Sequence, residues 1–134
     1  MMDLWKAVKL KVELADKRII EVVKTAEEIE KIRESCKIVA DVLRMIGNNI
    51  KAGMTTKELD IMAEDFILAC GAKPAFKGVD PGIGIPYPST LCVSINEEVV
   101  HGIPSDRVIQ EGDIVSVDVG VIKNSYYGDG AKTF

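Results

Sequence analysis

Apolar residues recur along the chain with two periods, and the switch between them divides it. Ile29, Ile32, Cys36, Val39, Leu43 and Ile46 follow one another at spacings of 3, 4, 3, 4 and 3, which predicts one apolar stripe on a helix. Thr25 and Glu28 stand just ahead of it as a capping box: the hydroxyl accepts from an early backbone N–H while the carboxylate reaches back. Gly47 offers a left-handed stop. A second helix repeats the pattern. Thr55 and Glu58 open it, Leu59, Met62, Phe66 and Ala69 line a face, and Gly71 closes it. Ahead of both, Leu4, Val8, Val12 and Ala15 or Asp16 lie at turn spacing and predict a short amphipathic helix over 3–17. "RIIEVV" (18–23) then reads as a short strand.

Beyond Gly71 the period falls to two. "GAKPAFKGVDPGIGIPYPST" (71–90) is too rich in Gly and Pro for either regular element and predicts a loop, with a brief extended piece at Ala75-Phe76. "LCVSI" (91–95) is a strand, and "NEEVVHGIPSDRVIQEGD" (96–113) is a connection holding the only histidine, His101. "IVSVDVGVIKNSYYGDG" (114–130) predicts a hairpin. Val115, Val117, Val119 and Val121 share its core face, while Ile114, Ser116, Asp118 and Gly120 share the other. On the second arm Tyr127, Asp129, Ala131 and Thr133 share a face. The closing "GAKTF" still reads as strand, which suggests a fragment of something larger or a sheet that needs a partner. The fold class predicted is α+β, an antiparallel sheet covered on one face by two helices.

The hairpin also carries the candidate chemistry. A tight turn centred on Lys123-Asn124 sets Asp118 directly opposite Asp129; a three-residue turn over 123–125 offsets them on neighbouring strands. Asp is depleted in strands, like charges opposed across a ladder are destabilising, and close carboxylates push one pKa up strongly. A shared proton relieves the conflict, and a shared divalent cation relieves it better. Two metals roughly 3.5–4 Å apart are an arrangement used in aminopeptidase-type hydrolysis. Other donors must then complete the shell, and His101 is the one imidazole available. Glu97, Glu98, Asp106, Glu111 and Asp113 lie in the connection with no spacing that demands a metal. His101 reads equally well as a structural loop histidine and as a hydrogen-bond donor or proton-transfer group facing the site.

Length and composition narrow the classes. The 134 residues suffice for one domain with a core. A net charge of −4 with no basic stripe argues against nucleic acid as a partner. No apolar run reaches bilayer length, and the charged N-terminus lacks a signal-type core, so the reading is a cytoplasmic protein without a membrane partner. Cys36, Cys70 and Cys92 are odd in number and far apart, which argues against a disulfide framework or a Cys-rich zinc site. Cys36 and Cys70 are expected to pack on helix faces as small apolar residues; Cys92, in a strand, is ambiguous.

"CVSINEEVVHGIP" followed by "EGDIVSVDVGVIKNSYYGDGAKTF" resembles the type I methionine aminopeptidases, and "KTAEEIEKIRESCKIVADVL" and "IKAGMTTKELD" are similar to that family's opening helices. The resemblance runs from about Ile19 to the end, which makes 1–18 an N-terminal extension and 19–134 the N-terminal half of a pita-bread aminopeptidase domain. It implies removal of the N-terminal methionine from nascent polypeptides by two divalent metal ions, cobalt, manganese, iron or zinc. By position, Asp118 and Asp129 match the family's first two metal ligands and His101 the histidine that contacts the scissile region. Cys92 and Tyr87 match part of the methionine pocket, and Asn96 lies near a monovalent-cation site. The family's remaining ligands, a histidine and two glutamates, come from a second half not found in this sequence, and "KGVDPGIGIPYPS" is longer than usual at a pocket-lining loop. The resemblance therefore implies a half-enzyme, weakly active or inactive alone. It is expected either to need the missing C-terminal half or to self-associate as a homodimer that mimics the two-fold of the complete fold. The related Xaa-Pro peptidases share the fold, but HGIP favours the methionine enzymes.

Overall fold

The computed structural model describes residues 23–134; the helix expected over 3–17 and all but the last residue of the strand expected over 18–23 lie outside the described residues. Helix α1 is Ala26–Asn49. Its first turn forms the expected capping box, Glu28 N donating to Thr25 Oγ1 at 3.2 Å and Thr25 N to Glu28 Oε2 at 2.7 Å. Helix α2 is Thr56–Ala69, capped in the same way by Thr55 and Glu58. Gly71, at φ +64, ends it. Gly71 N donates to Leu68 O and Ala72 N to Ile67 O, the paired bonds of a Schellman cap.

Four antiparallel strands follow: β1 (Lys73–Pro74), β2 (Leu91–Ile95), β3 (Val115–Lys123) and β4 (Tyr126–Thr133). β3 is central. One edge pairs with β4, and the other with β2 and, further along, with β1. The extended piece expected at Ala75-Phe76 lies instead at Lys73-Pro74, and Ala75 and Phe76 form a bend beyond it. The valines of β3 face the core and are at most 2% exposed, and Leu91, Val93 and Ile95 of β2 join them. Val42 and Ile46 of α1 and Leu59, Ala63 and Ile67 of α2 belong to the same apolar cluster. Burying each such side chain contributes about 1.5–3 kcal/mol, so this layer dominates the stability.

Both helices are rotated from the faces that apolar spacing predicts. In α1 the buried residues are Ser35, Ile38, Val39, Val42 and Ile46, and Cys36 is exposed. The cause lies in β4, whose core face presents Gly128 and Gly130. A Cβ at Gly128 would sit 2.6 Å from Cys36 N and from Ser35 C. The helix backbone therefore rests on the strand backbone, the small Ser35 occupies the contact, and Cys36 turns outward. Ser35 Oγ donates to Tyr126 O at 2.8 Å, which satisfies a polar group that is otherwise costly to bury. Gly47 does not stop α1. It lies within the helix, packed so closely on Phe134 that a Cβ would meet the ring at 2.7 Å.

In α2 the buried residues are Thr56, Leu59, Asp60, Ala63 and Ile67. Met62, Phe66 and Cys70 are half-buried and Ala69 is exposed. Two polar residues face inward because the chain opposite needs their oxygens. Asp60 Oδ1 accepts from Thr90 N at 2.9 Å and Leu91 N at 2.7 Å. Thr56 Oγ1 accepts from Ser105 N at 2.8 Å and donates to Ser105 O. A count of apolar residues alone misses them.

Candidate functional site

The β3–β4 hairpin closes through Asn124-Ser125, with Lys123 paired to Tyr126. Both turn residues have positive φ, 51 and 66, the geometry of a type I′ turn that matches strand twist. Neither turn expected from the sequence is the one formed, so the register moves. Asp129 lies opposite Gly120, and Asp118 opposite Ala131. The two acids are not directly opposed. Relative to the turn centred on Lys123-Asn124 the displacement is two residues, however, and only an odd slip would turn a side chain to the other face. Asp118 and Asp129 are therefore diagonal neighbours on one face, within side-chain reach of each other. Burial pushes the Asp118 carboxyl above the usual carboxylate range. The charge of Asp129 and a hydrogen bond between the two side chains push it further, and His101 opposes them. That is the conflict a cation relieves.

Cys92 lies directly opposite Asp118 on β2 and shares its face. Burial raises its thiol pKa, opposed by a hydrogen bond with Tyr87 and reinforced by the charges of Asp118 and Asp129. Burial also raises the Tyr87 phenol, whose hydroxyl donates to Leu91 O at 2.9 Å. Both groups stay neutral and wall the site. His101 arrives by another route. Val93 N donates to Gly102 O at 2.8 Å and Gly102 N to Ser94 Oγ at 3.1 Å. A Cβ on Gly102 would stand 2.2 Å from Val93 O, so only glycine lets this segment lie along β2. His101, held at φ +60, is thereby brought to the same hollow. Asn96 sits at the far end of β2, its amide donating to Asp113 Oδ1 at 2.8 Å and accepting from Ile114 N at 2.9 Å.

The hollow has a volume of about 530 Å³ and gathers Asp118, Asp129, His101, Cys92 and Tyr87. Its opposite wall is apolar: Ala75, Phe76, Val79, Pro81 and Ile103. Val79 and Pro81 lie in the loop that the resemblance marks as pocket-lining, while Ala75, Phe76 and Ile103 are not among the site residues expected from the sequence. Phe76 lies over Gly120, where a Cβ would meet its ring at 2.6 Å. A smaller hollow of about 310 Å³ continues along the same sheet face past Ser116 and Thr133, whose hydroxyls bond at 2.9 Å. Two adjacent carboxylates suit a hard divalent cation, and Asp118 and Asp129 would hold it. They do not complete a coordination shell: among the described residues no group of three or more His, Cys, Asp or Glu side chains is placed to bind a metal.

Comparison with known proteins gives a consistent picture. The family model for metallopeptidase family M24 matches residues 30–134. A methionine aminopeptidase of Clostridium acetobutylicum is 50% identical over 114 residues, spanning 84% of this chain and 44% of that protein. The crystal structure of a methionine aminopeptidase from Thermotoga maritima superposes with a TM-score of 0.77 at 43% identity, covering 84% of this chain and 43% of that one. A prolidase from Pyrococcus furiosus superposes with a TM-score of 0.72 at 28% identity, over 86% of this chain and 31% of its own. The chain thus spans less than half the length of each of these relatives.

Proposed function

The chain belongs to metallopeptidase family M24, and we propose that it supplies the N-terminal half of a methionine aminopeptidase site. The observation that supports this most directly is the pair Asp118 and Asp129, side by side on one sheet face in a hollow whose other walls are apolar or neutral. Bound divalent ions supply Lewis acidity, polarising a peptide carbonyl and lowering the pKa of water. The residues of this chain do the rest. Asp118 and Asp129 hold the cations. Cys92, Tyr87 and Phe76 wall a pocket for a thioether side chain, which packs well on sulfur and aromatic surfaces. His101 offers a ring nitrogen to the scissile amide, and the smaller hollow past Ser116 gives room for the residues that follow. The lone pair that Asn96 Oδ1 keeps after bonding Ile114 serves a monovalent cation.

With two carboxylates in place of a full ligand set, activity of the chain by itself is low. Hydrolysis of a peptide beginning Met-Ala, assayed with Mn²⁺ or Co²⁺, should run far below the typical enzyme turnover of about 10 s⁻¹ and vanish in Asp118→Asn. Turnover near that typical value would refute the half-site reading, and cleavage only of peptides with proline in second place would favour the Xaa-Pro branch. A second reading rests on the sheet edge. Among the described residues β4 pairs only with β3, and an open edge invites another strand. In this reading two copies associate about a two-fold axis, and sedimentation showing a monomer at micromolar concentration removes it.

A further inference from the structure

Between β1 and β2 the chain folds back on itself from Gly78 to Tyr87. Gly78 N donates to Tyr87 O and Tyr87 N to Val79 O, both at 2.8 Å, so the loop 79–86 is clamped at its base. One side chain organises its tip. Asp80 Oδ1 accepts from Gly82 N at 2.8 Å, Ile83 N at 2.9 Å and Gly84 N at 3.1 Å, and Oδ2 accepts from Gly84 N at 3.1 Å. The amides converge on one carboxylate because Gly82 and Gly84 take φ of +97 and +75, which side chains rarely adopt. The hydrogen bonds, with that of Gly82 first, hold the carboxyl below its ordinary range. The residues flanking Asp80, Val79 and Pro81, line the hollow that contains Asp118 and Asp129. The carboxylate that orders the loop is thus set between two wall residues of the site.

We propose that Asp80 is a positioning residue for substrate selection: by pinning the loop it fixes Val79 and Pro81 as a rigid wall, and so decides how bulky an apolar side chain the hollow accepts. This inference rests on the reading above that the hollow takes the first residue of a peptide. A loop freed of its pin must be ordered when ligand binds, at a cost of roughly tenfold in affinity for each backbone residue fixed. It also yields to larger side chains, so discrimination falls with affinity.

The test is an NMR titration of the whole chain, with Val and Ile methyls and Tyr rings observed, against methioninamide and the bulkier phenylalaninamide. In the wild type, methioninamide should shift both the Val79 methyls and the Tyr87 ring. Asp80→Ala should weaken methioninamide at least about tenfold, the cost of ordering a single backbone residue, and narrow its advantage over phenylalaninamide. Asp80→Asn, which keeps an acceptor oxygen, should restore affinity to within about threefold of wild type. Equal affinity and preference in wild type and Asp80→Ala overturn the proposal. Shifts at Tyr87 with none at Val79 overturn it while leaving the substrate pocket intact, whereas no shift at either site overturns the pocket reading as well. If Asp80→Ala loses its folded spectrum, Val79→Ala, at a position 54% exposed, decides: weaker methioninamide binding supports the wall, and unchanged binding removes it.

Discussion

Burial raises the pKa of Asp60, while hydrogen bonds from Leu91 and Thr90 pull it down. Its oxygen ties α2 to the start of β2, the strand that carries Cys92. Because the folded pKa lies above the ordinary value of 3.8, this group contributes its stability fully below that value. The contribution is lost as pH rises through the folded pKa. Asp60→Asn keeps the oxygen that accepts both bonds and removes the buried charge, so its unfolding free energy should fall less than that of wild type between acid and neutral pH. Asp60→Ala leaves two buried N–H groups without partners and should cost about 2–4 kcal/mol. Urea titrations at pH 4 and pH 7 measure both. An Asp60→Asn variant with the wild-type pH slope would mean that the carboxyl is not destabilised by burial.

The β3–β4 hairpin is the element that makes the site, and it is specified from both ends. Ser125 is held at positive φ, where a side chain costs about 1 kcal/mol or more; Ser125→Gly should stabilise the chain by about 0.5–1 kcal/mol. Gly128→Ala should do the reverse, costing about 1–3 kcal/mol, since its methyl would enter the α1 backbone at 2.6 Å. Thermal unfolding of the two variants should shift in opposite directions. The same element shows what the sequence can convey. Alternation placed both acids on one face, and that holds because the register differs from that of the Lys123-Asn124 turn by two residues. The turn itself was hidden, since Asn124-Ser125 and Lys123-Asn124 are both acceptable tight turns by composition. The helix faces were misjudged for a related reason. Ser35 and Asp60 are buried to meet backbone groups distant in sequence, and Gly128 attracts a helix by having no side chain, which apolar periodicity cannot register. The apolar wall of the hollow comes from a Gly-Pro loop whose path depends on the four bonds to Asp80. The string "DPGIG" carried that signal in its Asp followed by glycines two and four positions on.

For the molecule as a whole, the described residues of this family M24 chain form two helices and an antiparallel sheet, and one sheet face carries the carboxylate pair Asp118 and Asp129 in a hollow. No helix among the described residues is long and apolar enough to cross a membrane. Among the described residues β4 pairs only with β3 and the donor set is incomplete; on the proposal above, a second body, another half or another copy, completes both. Bound metal should then stabilise the fold in proportion to occupancy, by about 2.7 kcal/mol at a hundredfold excess over Kd. The most direct test is calorimetric titration of Mn²⁺ into the chain and into Asp118→Asn and Asp129→Asn. The wild type should give a saturable binding heat that each substitution abolishes or weakens at least about tenfold, equivalent to about 1.4 kcal/mol. The same heat and affinity in all three proteins would contradict the account.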